Sequence, residues 1–237
     1  MKTVAIVLAA GSGSRMNSDV KKQYMEIGGK PLVYYSLKAF EESLIDDIVL
    51  VVSRGDVAYA QKEIVEKYGF DKVTAVVEGG LARYHSVRLG LQAAAKDCDY
   101  AFIHDGARPF IDRDIILRAL QAVKEYKACV VGMPAKDTIK IADEKGFAAS
   151  TPDRNLMWTV QTPQVFSYNM ILELYQRLDI EEGELMNKGI NITDDAMVVE
   201  YYTDTRVKLV EGSYDNIKIT TPEDIAVAEA ILAKRRK

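Results

Sequence analysis

The sequence predicts an α/β fold: a mostly parallel, doubly wound, Rossmann-like sheet flanked by helices, with a protruding β-arm. Three observations predict it. Short apolar runs alternate with amphipathic stretches as far as Met133. A glycine-rich loop leaves the first of those runs. Beyond Met133 the alternation breaks into short strand-like pieces with no helix between them.

The strand candidates of the first half are residues 4–8, 48–52, 73–77 and 100–104, followed by 128–133. They are apolar without strict alternation, as parallel strands covered on both faces should be. Amphipathic stretches at 31–42, 57–68, 86–95 and 112–126 supply the crossover helices. Pro31 suits a first helical turn, and Asp112 suits an N-cap. Residues 137–141 and 147–160 read as short strands around a turn at Asp143-Glu144-Lys145-Gly146, the arm. Helices are expected at 168–178 and from about Thr193 to Val199. Late strands are expected at 206–211 and 217–220. Thr221 is the expected N-cap of a last helix, followed by Glu223 and Asp224 in its first turn. The basic tail, 234–237, reads as helix-dipole compensation at a frayed end. No linker interrupts the pattern, so 1–237 reads as one domain with an arm subdomain at about 137–160.

Composition narrows the function. The chain has 237 residues, 48% hydrophobic and 28% charged, with a net charge of −4. That balance argues against a nucleic-acid-gripping surface. The first apolar run is too short to span a membrane and lacks a cleavage context, so no membrane partner and a cytoplasmic location are expected. Cys98 and Cys129 lie far apart and outside any Cys/His cluster, which excludes a zinc site and fits two small buried hydrophobes.

The segment Leu8-Ala9-Ala10-Gly11-Ser12-Gly13-Ser14-Arg15-Met16 carries the chemistry. Small residues let backbone N–H groups approach an anion, and the loop leaves the carboxyl end of a strand, where open α/β sheets bind ligands. Arg15 adds a planar cation, and Lys22 follows in Lys21-Lys22-Gln23-Tyr24. A dinucleotide fingerprint would need a third glycine where Met16 stands, and the P-loop signature is absent. A purely structural turn is the remaining alternative. Asp105, ending an apolar run, is placed either to hold a hard cation or simply to start a turn before Gly106. His104 reads as a hydrogen-bonded core residue. His85 reads as a helix-surface residue.

The motifs taken together resemble the sugar-phosphate nucleotidyltransferases of glycosyltransferase-A-like fold, and among them the 2-C-methyl-D-erythritol 4-phosphate cytidylyltransferases. The resemblance continues through Glu78-Gly79-Gly80, Ser86-Val87, His104-Asp105-Gly106-Ala107-Arg108-Pro109, Asp137-Thr138-Ile139-Lys140, Asp153-Arg154-Asn155, Gln161-Thr162-Pro163-Gln164, Thr193-Asp194 and Asp215-Asn216-Ile217-Lys218. It implies cytidylyl transfer from CTP to a small polyol phosphate, with Mg²⁺ or another divalent cation as cofactor. It implies that Leu8, Ala9, Ala10, Gly11, Gly13, Gly80, Arg83, Ser86 and Ala107 surround the nucleotide. Arg15, Lys22, Arg154 and Lys218 are the implied catalytic cations. Arg108, Thr138, Arg154, Thr162, Asp215 and Lys218 are implied for the acceptor, and Asp105 for the metal. In the family the arm crosses to a second subunit, which implies a homodimer with Met157 and Trp158 at the interface or in arm packing.

The implied chemistry is physically coherent. A triphosphate and an acceptor phosphate repel one another, so fixed cations must already be in place. Phosphoryl-type transfer needs little covalent help, so the lack of a Ser/His/Asp set is no objection. Two positions depart from the family pattern: Leu81 replaces an acidic or small polar residue, and Lys21 replaces a proline, adding charge near the triphosphate. The nearest rival is ribitol-5-phosphate cytidylyltransferase. A rival of another class is a non-catalytic nucleotide sensor.

Overall fold

The structure is a computed structural model and describes residues 1–11, 16 and 20–235. Expectations that fall on Gly13 and Arg15 therefore lie outside the described residues. The chain opens with strand β1 (Thr3–Ala9), a small hairpin of β2 (Glu26–Ile27) and β3 (Lys30–Pro31), and helix α1 (Leu32–Glu41). Next come β4 (Asp47–Val52), α2 (Val57–Ala60) running into a π-helical turn (Gln61–Glu66), β5 (Val73–Glu78) and α3 (Arg83–Ala93). Then follow β6 (Tyr100–Asp105), α4 (Arg113–Tyr126) and β7 (Ala128–Pro134). The second half holds β8 (Ile141–Ala142), β9 (Ala148–Ser150), β10 (Trp158–Ser167), α5 (Tyr168–Asn187), α6 (Asp195–Tyr202), β11 (Lys208–Glu211) and α7 (Glu223–Arg235).

Among the described residues, seven strands make one sheet in the order β11-β7-β10-β6-β1-β4-β5. Its pairings are parallel except those of β10, which runs antiparallel between β6 and β7. The period of two splits β1 cleanly: Ala5, Val7 and Ala9 face one core and Val4 and Ile6 the other. The first core is closed by α1 and α4, the second by α3, α5 and α6. From β1 the chain winds outward to β4 and β5, then returns to β6 on the other side of β1. That reversal leaves a crevice at the carboxyl ends of β1 and β6, where Leu8 pairs with Asp105.

Local signals hold at several ends. Asp112 accepts from Ile115 N (2.9 Å) and caps α4. Asp143 accepts from Lys145 N and Phe147 N (2.9 Å each) and makes the β8–β9 turn, where Gly146 takes φ +83°. Cys98 and Cys129 are buried free thiols, and burial pushes both upward, to about 11 and about 12.

Other boundaries move. The strand expected at 137–141 shrinks to Ile141–Ala142. The one expected at 147–160 breaks, because Asp153 caps a 3₁₀ turn over Arg154–Leu156 by accepting from Asn155 N. The following strand then extends to Ser167. The run expected as a strand at 217–220 is irregular; it crosses the end of β6 and is held by Ile219 N donating to Ala107 O (2.9 Å). Helix α5 continues past Leu178, beyond its tight apolar period, because Arg177–Glu181 (2.8 Å) and Arg88–Asp179 (3.0 Å) pair along its exposed side. The helix expected from about Thr193 begins at Asp195, capped by Asp194, which accepts from Met197 N (3.0 Å). At the last helix Asp224 reaches back to the backbone N–H groups of Thr220 (2.7 Å) and Thr221 (2.9 Å). The described part of the tail is tied down: Arg235 donates to Phe110 O (2.8 Å), and Lys234 lies 3.5 Å from Asp215. Among the described residues no helix is long and apolar enough to cross a membrane.

Candidate active site

The crevice is a cavity of about 530 Å³. Of the residues singled out in the sequence, Leu8, Ala9, Ala10, Gly11, Lys22, Gly80, Arg83, Ser86, Asp105, Ala107 and Lys218 all line it. They come from the end of β1, the 3₁₀ turn Lys22–Tyr24, the turn after β5, the start of α3, the end of β6 and the segment before α7. The first wall is backbone with small side chains. It continues into the Gly79-Gly80 turn, where a Cβ on Gly79 would lie 2.5 Å from Ala10 Cβ and one on Gly80 would lie 2.3 Å from His85 Cβ. Gly80 N donates to Ser86 Oγ (3.2 Å), and that hydroxyl donates to Ala82 O (3.3 Å). Ala82 N in turn donates to His85 Nδ1 (3.3 Å), and His85 Nε2 then donates to Glu182 Oε2 (2.9 Å). His85 thus braces the turn after β5 against α5, a role its helix-surface position concealed.

Among the described residues, Asp105 is the single carboxylate on the cavity wall. Lys218 Nζ lies 2.7 Å from its Oδ2, and Arg83 Nε lies 3.3 Å from its Oδ1. Burial alone would raise its pKa, but Arg83 and Lys218 overrule that and hold the carboxyl well below the usual range. Behind it, Thr162 Oγ1 accepts from Asp105 N (3.1 Å) and donates to His104 Nδ1 (3.1 Å). His104 Nε2 donates to Arg108 O (3.2 Å). A carbonyl only accepts, so the network assigns the neutral tautomer with the proton on Nε2.

Burial lowers the His104 pKa to about 4. Its unfolded value is about 6.5, so it contributes stability in full above pH 6.5 and loses it as pH falls toward 4. Wild-type protein should lose up to about 3 kcal/mol of stability across that window from this group. Thermal melts of wild type and His104→Asn should show the variant less stable at pH 8 but with a flatter profile between pH 7 and 4. Parallel profiles would contradict the assignment.

Lys218 reaches Asp105 because its loop is pinned from several sides. Asn216 is fully buried and donates to Thr162 O (3.0 Å) and Gln161 Oε1 (3.2 Å). Gln161 Nε2 donates to Ser213 O (2.8 Å), and Arg108 Nη1 donates to Asn216 O (2.8 Å). The register of β10 shifts between Val160 and Gln164, and that irregularity turns Gln161 and Thr162 toward this loop. On the opposite wall Gln23 donates to Ser53 Oγ (3.2 Å), which donates to Ala10 O (3.2 Å), tying the Lys22 turn to β1. Lys21 pairs with Asp56 at 2.6 Å, so its charge is locally offset rather than added to the cavity. Leu81, at the lip, is fully exposed.

Five expected site residues do not line the cavity. Thr162 lies behind Asp105 and is buried. Arg108 is engaged with the carbonyls of Asn216 and Val160. Asp215 faces Lys234. Thr138 and Arg154 stand exposed in the arm region, with Arg154 Nη1 donating to Lys136 O (3.1 Å). Gln23, Ala82 and Thr220 line the cavity without a local signal that singles them out.

Among the described residues no group of three or more His, Cys, Asp or Glu side chains forms a metal cluster. The donor set still suits Mg²⁺, which takes one or two carboxylates and completes its shell with substrate phosphates and water. Asp105, at a strand end on the cavity wall, is the residue that would supply the hard oxygen.

The sequence profile of the 2-C-methyl-D-erythritol 4-phosphate cytidylyltransferases (IspD) matches residues 3–234. The chain belongs to this family. The 2-C-methyl-D-erythritol 4-phosphate cytidylyltransferase of Lachnoclostridium phytofermentans is 52% identical over 235 residues, covering 99% of this chain and 98% of that one. The protein of the same name from Alkaliphilus oremlandii is 48% identical over 237 residues, covering 100% and 97%. The crystal structure of 4-diphosphocytidyl-2C-methyl-D-erythritol synthase from Anaerococcus prevotii superposes with a TM-score of 0.85 at 34% identity, covering 98% of this chain and 96% of that one. Family membership makes the chain a nucleotidyltransferase, and its mostly parallel α/β sheet matches the family's solved structures.

Proposed function

We infer that this protein transfers the cytidylyl group of CTP to 2-C-methyl-D-erythritol 4-phosphate. The products are 4-diphosphocytidyl-2-C-methyl-D-erythritol and pyrophosphate, in isoprenoid precursor synthesis by the non-mevalonate route. The observation that carries this reading is the convergence of Lys22, Arg83, Lys218 and Asp105 on one crevice, in a chain that matches a relative of that name end to end.

An oxygen of the acceptor phosphate attacks the α-phosphorus of CTP, and the bond from that phosphorus to the pyrophosphate oxygen breaks. The backbone at residues 8–11 and the Gly80–Ser86 turn hold the nucleoside. Lys22, joined by Arg15 as the family resemblance implies, offsets charge at the reacting phosphorus and on the departing pyrophosphate. Mg²⁺ on Asp105 would neutralise triphosphate oxygens. Lys218 changes partner, from Asp105 to the incoming phosphates. The acceptor is already anionic near neutral pH, so no general base is required.

The acceptor side is completed by a second subunit. Arg154 and Thr138 belong to an exposed arm with Phe147 70% and Leu156 78% exposed, which suits burial against a partner copy. A homodimer in the cytoplasm is the reading consistent with all of this.

The test is pyrophosphate release with CTP and either methylerythritol 4-phosphate or ribitol 5-phosphate. A strong preference for methylerythritol phosphate is expected, and EDTA should abolish it. Preference for ribitol phosphate would reassign the acceptor. Nucleotide binding with no release from either would point to a sensor.

A further inference from the structure

Asp195, the first residue of α6, is fully buried yet takes no part in the cavity wall. It receives the fork of Arg83: Nη1 donates to Oδ1 and Nη2 to Oδ2, each at 2.7 Å. Tyr175 from α5 donates its hydroxyl to the same Oδ1. The carboxylate cannot shift to follow its partner. Gln164 accepts from Ala196 N (2.8 Å) and donates to Asp194 (3.0 Å), which fixes the start of α6 on either side of Asp195. Arg83 is therefore brought to Asp195, and only its Nε is left to face Asp105, at 3.3 Å.

This arrangement decides what can happen at Asp105. A guanidinium fork is the best-matched partner a carboxylate has, because two parallel N–H groups meet two oxygens. A fork released from Asp195 would sit within reach of Asp105 and close over both of its oxygens. In the structure Asp105 Oδ2 instead meets Lys218, a single ammonium on a flexible stem, which exchanges for another cation far more readily.

We propose that Asp195 is a positioning residue that keeps the Arg83 fork off Asp105, so that Asp105 stays available to a divalent cation brought in with the nucleotide. The proposal rests on the reading of Asp105 as the metal contact. It gives a physical purpose to an ion pair whose carboxylate is fully buried and which packing alone would not require.

The experiment is calorimetric and needs no turnover. The dissociation constant for CTP is measured with excess Mg²⁺ and again in EDTA, and the ratio of the EDTA value to the Mg²⁺ value reports the coupling of metal and nucleotide. Wild type should show a ratio well above one. Asp195→Asn should reduce that ratio about ten- to a hundredfold, or to one, as loss of a residue that orients a metal ligand does. Asp195→Asn combined with Arg83→Met should restore much of the ratio, whatever the double variant does to nucleotide affinity itself, because the competing fork is gone. A structural defect would weaken CTP equally in both buffers and would not be mended by removing Arg83 as well; that result overturns the proposal. If Asp195→Asn does not fold, Tyr175→Phe decides: a lowered ratio supports the proposal and an unchanged one overturns it. A wild-type ratio of one would sink the metal reading of Asp105 and the proposal together, whereas a normal wild-type ratio untouched by Asp195→Asn sinks the proposal alone.

Discussion

Lys22→Ala should lower turnover by about a hundred- to a thousandfold while leaving CTP affinity within about tenfold. The asymmetry follows from what the cavity offers the nucleotide. In the proposed function the base and ribose meet the backbone at residues 8–11 and the Gly80–Ser86 turn, which line the cavity and which the substitution leaves in place. Lys22 lines the cavity from its own turn, tied to the end of β1 by the Gln23–Ser53–Ala10 hydrogen bonds and steadied by the Lys21–Asp56 pair beside it. A cation fixed in that position gains most when negative charge accumulates on the leaving pyrophosphate, so its removal should fall on the transition state. Steady-state kinetics alongside direct binding would separate the two quantities. Equal losses in turnover and affinity would make Lys22 an ordinary binding residue.

Mixing two inactive proteins should restore activity. Arg154→Ala is expected to cut acceptor-dependent turnover by about a hundredfold or more, through poor placement of the acceptor phosphate. Arg154 is absent from the cavity wall of its own subunit and stands in an exposed arm. If the arm serves the neighbouring subunit, a hybrid of Lys22→Ala and Arg154→Ala chains contains one site with both native residues. Random exchange would return about a quarter of wild-type activity, since half the dimers are hybrids and one site in each is whole. The measurement is activity against mixing ratio after subunit exchange has been verified by mass. No recovery would place both residues in one subunit's site and remove the reason for a shared one.

Much of the site is legible in the sequence. The glycine-rich loop after β1, Lys22, the Gly79-Gly80 pair and Asp105 all follow the ends of short apolar strands, and open α/β sheets gather ligands at those ends. Strand β10 is legible only in part, because its glutamines and proline mask an antiparallel strand that is buried only through its neighbours. The segment 217–220 alternates like a strand but has no strand beside it to pair with; Ala107 O takes the backbone N–H of Ile219 instead. The family resemblance assigns Thr162 and Arg108 to the acceptor. In the structure their side chains face inward, onto His104, Asp105 and the Asn216 loop.

The alternating core, the loop that leaves β1 and the kinds of cation available to the crevice follow from the chain alone. Those properties depend on residue type and short-range period, which any stretch of sequence carries locally. Which charges meet is a different matter, settled by how the elements pack. Asp195 lies 112 positions from Arg83 and carries no local mark apart from a helix start. Lys218 looks like a solvated lysine until the Asn216 loop is pinned across β6. Partners so distant in sequence are joined by packing alone, and at a distance of a few ångströms the same carboxylate becomes a cap, a clamp or a metal contact according to which cation the fold delivers to it.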